Sequence, residues 1–493
     1  MSRRRRWWVL GVMTCASSMI AIDVLVVLVA LPTIQRSLGT STTGLQWVVT
    51  AYLLGFACMS PIGGRVGDDL GHERAFRLGT WLFVAASLAA GLAQSEAWLI
   101  AAQGVGGERG QAMGVSSSVS TLFYGMAPLI GGVLTSELSW RAIFFVNPPL
   151  GIAAVALVRL LLTDGPRRRD PVDWASAPLL IDGLVCVVLP LTQARHWRWS
   201  SAAVVSLLSV AAVSLTLLVV RGRRVSHPLL HLELFRQREF AVGTAVVSTV
   251  RFAFVGFAVS GVVWLQDVVG FSPFAAGLAV LPLTLPTMVC ALLGGRLYDR
   301  LDPRVPLGVG MGLCVAALLG ATVALHRQSS TWLLVCYGAM GVGMGLCVSP
   351  PWTTALGGAA ARVRGRAAGV TQTAREISAA LGLAVMGAVV SHVLGGRLGQ
   401  VLRQDGRLHP GRFDEVERSI GKAVAATQEG SRVSAGLPAD LVPALKGAVT
   451  AAVSAAFSVG AAVLLVAALA VVLLPRGARS AGAGPGGRAD GPS

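Results

Sequence analysis

Long apolar stretches separated by short polar segments recur along the whole chain. Many of these stretches reach the roughly 20 residues that a helix needs to cross a bilayer. They predict fourteen membrane spans: 7–31, 44–64, 76–95, 97–107, 112–135, 142–162, 175–194, 202–221, 240–265, 273–296, 305–326, 331–356, 366–395 and 447–474. The pattern therefore predicts an all-α, polytopic membrane protein, because helices satisfy their own backbone hydrogen bonds in lipid.

A short polar motif occurs twice, and its spacing indicates two similar halves. Gly-Gly-Arg-Val-Gly-Asp at 63–68 recurs as Gly-Gly-Arg-Leu-Tyr-Asp at 294–299, each time near the end of an apolar run. The separation is close to half of the 493 residues. Duplicated halves around a shared pathway are typical of secondary transporters.

The fourth predicted span is shorter than the others. Residues 97–107 would form a helix of roughly 16 Å, about half of the hydrocarbon core. Glu108 and Arg109 then interrupt the run, and each charge at mid-membrane costs about 2.5–3.5 kcal/mol. A crossing is nevertheless needed here to keep the later basic loops on one side, so the length of the run and the charge pattern conflict.

Charged residues make up only 13% of the chain, yet the net charge is +17. Basic composition can indicate nucleic-acid binding, but here the arginines lie between apolar runs, which is the positive-inside pattern. Arginine-rich turns alternate with turns that hold few arginines. The sequence therefore predicts a lipid bilayer rather than nucleic acid as its surroundings, with both termini cytoplasmic in a bacterial inner membrane. Arg3–Arg6 is expected to precede an uncleaved first span rather than a signal peptide.

Four regions follow from the spans and their connections. Residues 1–162 hold spans 1–6, and residues 163–239 hold two extra spans and a cytoplasmic linker. Residues 240–474 hold spans 9–14, with a long polar loop at 396–446. Residues 475–493 are rich in Gly, Ala and Pro, which predicts a disordered tail.

No motif for a cofactor, a metal or a catalytic centre stands out. The chain lacks GxxxxGK[ST], so ATP does not drive it through a P-loop. Gly341-Val342-Gly343-Met344-Gly345 lies inside a span, which predicts close helix packing instead of a nucleotide loop. His227 and His231 lie four residues apart, but Pro228 interrupts any helix between them and no third ligand is apparent. The sequence thus predicts no cofactor, no metal and no enzymatic activity.

Ionisable residues inside apolar spans are the candidates for function. Such residues are costly in lipid and usually serve a functional role. Asp23 in span 1 is the first candidate for proton coupling or substrate binding, and Arg375 and Glu376 in span 13 are further candidates. Arg251 lies in span 9 and Asp182 in the extra span 7. A structural polar contact is the alternative for each, and Arg375 and Glu376 could also pair with each other.

The two polar turns are candidates for a conformational latch. Glycines allow close approach of helix ends, and Asp68 can cap the next helix and pair with an arginine. An ordinary charged loop is the alternative. The predicted latch residues are Gly64, Asp68, Gly71, Arg74, Asp299 and Arg300.

These turns resemble the signature of the major facilitator superfamily. Further stretches resemble its fourteen-span drug:proton antiporter branch, the EmrB/QacA-like multidrug exporters. The similarity runs from about residue 15 to residue 395. The stretches are Ile22-Asp23, Val29-Ala30-Leu31-Pro32, Gln46–Tyr52, Ala127–Gly132, Trp140–Phe145, Asn147–Gly151 and Ala276-Gly277-Leu278 with Pro282.

The resemblance implies two six-helix bundles plus two inserted helices. Gly125, Pro128, Gly131 and Gly132 would form the antiporter motif that shapes a sealed interface, with generic helix packing as the alternative. Trp140 and Arg141 would lie at an interface. Aromatic residues of the spans could line an apolar cavity or serve in packing; they are Trp47, Tyr52, Phe252, Phe254, Phe257 and Trp264.

The implied function is proton-coupled export of small amphipathic molecules by a monomer. One departure matters: the family's arginine before Gln-Gly-x-Gly is missing ahead of Gln103-Gly104, which suggests a deletion in span 4. A non-transporting relic or a membrane ligand sensor is therefore an alternative. An importer of the same fold is a third possibility.

Overall fold

The computed structural model describes residues 26–27, 30, 33–34, 37–39, 42–106, 131–161, 173–192, 201–225, 228–301, 304–357, 361–404 and 441–472. Helices are numbered here by the predicted span that each overlaps. They are α1 (the helical residues within 26–38), α2 (Thr42–Leu70), α3 (His72–Gly91), α4 (Glu96–Gly106), α5 (131–137), α6 (Ala142–Phe145 and Asn147–Leu161), α7 (Ser176–Thr192), α8 (Ala202–Arg224), α9 (Arg238–Trp264), α10 (Pro273–Arg300), α11 (Arg304–His326), α12 (Ser330–Gly357), α13 (Ala361–Gln404) and α14 (Leu441–Val472).

The regular structure of the described residues is helical, without a strand. Eight of the helices are long and apolar enough to cross a membrane. This confirms the prediction of an all-helical membrane protein. The number of fourteen crossings stays a prediction, and α4 covers only eleven residues.

The second half of the chain packs around α9. In an apolar stretch of 18 residues within α9, 78% of the residues are buried, whereas the figure for a stretch of the same length within α8 is 22%. The Phe257 ring makes edge contacts with Tyr337 of α12 and Phe457 of α14, at centroid distances of 4.9 and 4.7 Å. Trp264 Nε1 donates a hydrogen bond of 3.1 Å to Thr450 Oγ1 in α14. Helix α9 is therefore the central helix of this half.

Small residues allow the helices of this half to approach closely. A Cβ atom added at Gly345 of α12 would lie 2.7 Å from the Thr287 carbonyl oxygen of α10. At Gly343 it would lie 3.0 Å from the Cys314 backbone nitrogen of α11. The glycine run in span 12 therefore serves helix packing, as predicted.

In the first half, α3 holds the start of α6 through buried polar contacts. Ser87 Oγ donates to the Phe144 carbonyl oxygen at 3.1 Å, and Asn147 Nδ2 donates to Ser87 Oγ at 2.9 Å. Helix α4 packs against α2, where a Cβ atom at Gly55 would collide with the Gly104 carbonyl oxygen. The short helix α4 is thus a packed element, with Leu99 fully buried.

The two halves meet through their second and fifth helices. Helix α2 packs against α13, and α5 approaches α10. Since α2 and α10 are the second helices of their halves, and α5 and α13 the fifth, the two contacts are related by the internal repeat. The hairpin α7–α8 lies beside the first contact, where Leu54 of α2, Leu184 of α7 and Ala384 of α13 share one apolar cluster.

Candidate functional site

A cluster of charged side chains lies between α9 and α13, inside the second half. Arg251 Nη2 lies 3.9 Å from Glu376 Oε2, and both side chains are about 95% buried. Arg375 donates to Glu376 Oε1 from Nε and Nη2 at 3.3 Å. Gln372 Nε2 donates to the same oxygen at 3.1 Å. Glu376 is therefore the acceptor at the centre of two guanidinium groups and one amide.

Close packing of the two helices holds this cluster. A Cβ atom at Gly382 of α13 would lie 2.8 Å from the Phe252 carbonyl carbon of α9. A hydrogen bond between two side chains also joins the helices, because the hydroxyl oxygens of Thr244 in α9 and Thr371 in α13 lie 3.2 Å apart. Both guanidinium groups are charged, so the cluster carries one surplus positive charge when Glu376 is ionised and two when it is protonated.

Two of the three predicted coupling residues belong to this cluster. Arg375 and Glu376 are paired with each other, and the span 9 residue Arg251 joins them. Sequence reasoning missed Gln372, although its position four residues before Glu376 on one helix face was a usable signal. Asp23 lies outside the described residues. Asp182 is exposed on α7.

Three of the aromatic residues proposed for a cavity serve packing instead. Phe254, Phe257 and Trp264 are at most 2% exposed inside the core of the second half. They lie on the central helix α9, which is surrounded by α12, α13 and α14. Their burial follows from that position, which a sequence pattern alone does not reveal.

The first polar turn is shorter than predicted. Helix α2 continues to Leu70, so Gly64 and Asp68 are helical rather than part of a turn. The prediction that Asp68 caps the next helix is wrong. The N-cap of α3 is Gly71, at φ +90°, which has no side chain to cap that end. Arg74 lies exposed in the first turn of α3.

The second polar turn also becomes helix. Asp299 and Arg300 are the last two residues of α10, which ends where Leu301 turns extended, at φ −113° and ψ 164°. Helix α10 carries Pro282 and Pro286 in its interior. Both candidate latch segments are thus ends of helices that meet the opposite half of the protein.

The part of the antiporter motif that the structure describes lies at helix contacts. A Cβ atom at Gly131 would lie 2.9 Å from the Val26 Cα of α1, and one at Gly132 would lie 3.2 Å from the Phe274 Cα of α10. Gly125 and Pro128 lie outside the described residues. The two glycines therefore allow one helix to approach both its own half and the other half.

Trp140 and Arg141 connect α6 to the end of α3. Arg141 Nη2 donates to the Ala93 carbonyl oxygen at 2.9 Å, and its guanidinium carbon lies 4.3 Å above the Trp140 ring centroid. Trp140 also makes an edge contact with Phe144. The pair therefore fixes a connection within the first half.

The described residues contain no group of three or more His, Cys, Asp or Glu side chains that could hold a metal ion. His231 is buried within the connection between α8 and α9, and His227 lies outside the described residues.

Comparison with known sequences identifies a protein family and several relatives. The family model for the Major Facilitator Superfamily matches residues 13–383. The tetracenomycin C resistance and export protein of Streptomyces glaucescens is 30% identical, with 96% of this chain and 92% of that protein covered. The multidrug resistance protein Stp of Mycobacterium tuberculosis is 31% identical, with coverage of 76% and 74%. The puromycin resistance protein of Streptomyces alboniger is 33% identical, with coverage of 78% and 82%.

Solved structures share the fold. A bacterial homologue of the human lysosomal transporter Spinster, inward-facing and occupied, superposes with a TM-score of 0.64 at 18% identity and covers 96% of this chain and 97% of its own. The human organic anion transporter MFSD10 gives a TM-score of 0.58 at 13% identity, with coverage of 95% and 100%. At these identities the likeness concerns the fold alone.

Proposed function

Because the chain belongs to the major facilitator superfamily, we propose that it exports drugs or other small amphipathic molecules in exchange for protons, by alternating access. Its relatives are named as resistance proteins for multiple drugs, puromycin and tetracenomycin C, and the last is also named as an export protein. This supports drug export by a multi-pass membrane protein of the drug:proton antiporter branch. The proton coupling is our own proposal.

The buried contact between Arg251 and Glu376 is the observation that supports coupling. A carboxylate in a membrane interior is costly unless a positive charge stabilises it. Protonation of Glu376 would remove its attraction to Arg251 and so weaken the link between α9 and α13. Because α13 also packs against α2 of the other half, a change at Glu376 reaches the contact that must open and close during alternating access.

Arg375 has a different role in this proposal. Its side chain is 23% exposed, against 5% for Glu376, so it lies between the buried pair and the surroundings. It donates hydrogen bonds to Glu376 Oε1 and can also contact a bound substrate. The surplus positive charge of the cluster disfavours a cationic substrate beside it. Asp23 remains our second candidate for proton transfer.

The glycine contacts and helix ends would control the movement. Gly131 and Gly132, with Gly125 and Pro128 in the same motif, would seal the contact of α5 with its neighbours. The helix ends that carry Gly64, Asp68, Gly71 and Arg74, and their repeat at Asp299 and Arg300, would act as latches. Trp140 and Arg141 would keep α6 fixed to α3 during the movement.

The topology completes the proposal. We propose a monomer in the bacterial inner membrane with both termini in the cytoplasm, as the arginine distribution indicates. Residues 1–162 and 240–474 would form the two moving bundles, and residues 163–239 the inserted hairpin and linker. Protons and a small amphipathic molecule would be the only partners besides the bilayer.

Dye uptake into everted membrane vesicles, which corresponds to export from the cell, tests the proposal. The wild type should move dye when a proton gradient is applied, and collapse of the gradient should stop the movement. Glu376→Gln should abolish gradient-driven transport because its amide cannot exchange a proton, while Glu137→Gln, an exposed control, should retain it. Asp23→Asn tests the second candidate in the same assay.

The possible outcomes separate the alternatives. Gradient-driven dye uptake into everted vesicles that persists in Glu376→Gln would remove this residue from the coupling mechanism. Correct membrane insertion without any transport by the wild type would favour the relic or sensor. Dye movement in the reverse direction would identify an importer.

A further inference from the structure

Four exposed arginines flank the connection between α8 and α9. They are Arg223, Arg224, Arg236 and Arg238, called here the linker arginines. None of them forms an ion pair with another residue that the structure describes. The neighbouring Arg221, in contrast, is paired. The guanidinium donors of the four linker arginines are therefore available to an external anion.

The connection is packed against the protein, so these arginines have defined positions. A Cβ atom at Gly222 in the last turn of α8 would lie 3.8 Å from the Leu230 carbonyl oxygen and 3.9 Å from Leu232 Cδ1. The connection continues as a 3₁₀ helix, Leu232–Arg236. The linker arginines thus lie at both ends of one folded segment.

The position of α8 places this segment at the depth of the lipid headgroups. The lipid-facing side of α8 carries exposed apolar residues, among them Val213, Leu217 and Val220, and the arginines follow directly. A helix that changes from exposed apolar to basic residues leaves the hydrocarbon at that point. Phe235 is 38% exposed beside Arg236, as expected of an aromatic anchor at the membrane interface.

Nearby acidic residues reduce the positive charge without cancelling it. Glu233 is exposed on the 3₁₀ helix, and Glu239 follows in the sequence. Four arginines and two glutamates leave a surplus of two positive charges. Such a surplus near the membrane attracts anionic phospholipids of the cytoplasmic leaflet.

We propose that the linker arginines bind the phosphate groups of anionic phospholipids in the cytoplasmic leaflet. Guanidinium groups donate two parallel hydrogen bonds to a phosphate, which favours arginine for this contact. The same segment reaches α13, because Leu234 and Phe240 pack against Val370. Bound lipid would therefore also hold the linker against the helix that carries Glu376. The binding itself does not depend on the proposed transport function.

Spin-labelled lipids in membranes that contain the full-length protein test this proposal. The protein is reconstituted in phosphatidylcholine with a trace of labelled phosphatidylglycerol or labelled phosphatidylcholine, and the motionally restricted fraction of each is compared. The wild type should select phosphatidylglycerol. R236Q/R238Q should lower that selectivity severalfold, about fivefold per arginine being the electrostatic upper limit. R223Q/R224Q/R236Q/R238Q should remove it.

A matched control removes the same charge elsewhere. R327Q/R397Q changes two exposed arginines outside the linker: Arg327 directly follows α11, and Arg397 lies in the last third of α13. The lipid selectivity of this variant should equal that of the wild type. An equal loss in this control, or full selectivity in the quadruple variant, would overturn the proposal. Displacement of the labelled lipid by free inorganic phosphate at about 10 mM would also overturn the proposal. The site would then bind any phosphate rather than a lipid headgroup.

Discussion

At the scale of single residues, the strongest constraint is the burial of two opposite charges between α9 and α13. Arg251 and Glu376 are both about 95% buried, so solvent screens the attraction between them only weakly. Glu376 has further partners in Arg375 and Gln372. The Glu376 carboxylate is consequently compensated by more than one group.

A double-mutant cycle measures this pairing. Glu376→Gln should lower the free energy of unfolding by about 3 kcal/mol, because the buried Arg251 then loses its attraction to this carboxylate. Arg251→Gln should cost less, since Arg375 still neutralises Glu376. The double variant should be less destabilised than the sum of the two, by at least about 1 kcal/mol. Denaturant unfolding in detergent provides the measurement, and strictly additive effects would show that the two side chains do not interact.

Asp173 offers a second prediction at this scale, outside the spans. Its carboxylate accepts hydrogen bonds from Arg221 Nε at 2.7 Å and Nη2 at 2.8 Å, and one from Ser176 Oγ at 2.6 Å. The hydrogen bonds from Arg221 are the largest cause that lowers the pKa of Asp173 below its ordinary value of 3.8. A lowered pKa in the folded state means that the pairing stabilises the fold above that ordinary value and is lost as the pH falls through the lowered one.

Asp173→Asn should therefore destabilise the hairpin base at pH 7. Because Arg221 is 46% exposed, solvent screening keeps this loss small. Thermal unfolding of the variant and the wild type should converge as the pH is lowered well below 3.8. Arg223→Gln, which removes an arginine without a described ion pair, should leave the unfolding temperature unchanged at pH 7. A difference that persists unchanged in acid would contradict this account.

At the scale of helices, the sequence predicted which segments are helical better than where they end. Apolar length identified the spans because a bilayer requires it. The predicted bounds of the polar turns were wrong because Gly64, Asp68 and Asp299 are of residue types common in turns but here continue a helix. Helix α2 stops only at Gly71, whose φ of +90° suits glycine and few other residues.

In the candidate site, contacts between neighbours in the sequence were predictable, and contacts between distant segments were not. Adjacency in the sequence was enough to suggest that Arg375 and Glu376 pair. No local pattern could show that Arg251 of α9 faces Glu376 of α13, because the packing of two helices decides which faces meet. That packing depends on single small residues such as Gly382.

Two glycines of α13 test this dependence. Gly382→Ala would place a methyl group against the Phe252 backbone and should cost about 1–3 kcal/mol. Gly395→Ala on the same helix meets nothing within 4 Å and should be neutral or slightly stabilising, because alanine favours helices. Unfolding temperature and the yield of monodisperse protein are the measurements. Equal behaviour of the two variants would show that the contact between α9 and α13 is looser than described.

At the scale of the whole molecule, the inserted hairpin α7–α8 lies where the two halves meet. Its apolar cluster includes residues of α2 and of α13, so any rocking of the halves must slide one of them past the hairpin. The ion pair of Asp173 and Arg221 fixes one end of the hairpin to itself rather than to either half. The hairpin can therefore support the contact between the halves without locking it.

The proposed exchange sets a thermodynamic limit that the whole molecule must obey. One proton moving inward across 100 mV and one pH unit releases about 2.3 plus 1.4 kcal/mol, enough for a roughly 500-fold gradient of a neutral substrate. Proteoliposomes with the membrane potential clamped to zero should reach only about a tenfold gradient per pH unit. A steady gradient far above these limits would require more than one proton per molecule, and a gradient insensitive to pH would exclude proton exchange. Because the limit depends on the stoichiometry and the proton gradient and not on the transport rate, slower transport caused by the short α4 would change the time needed to reach it but not its value.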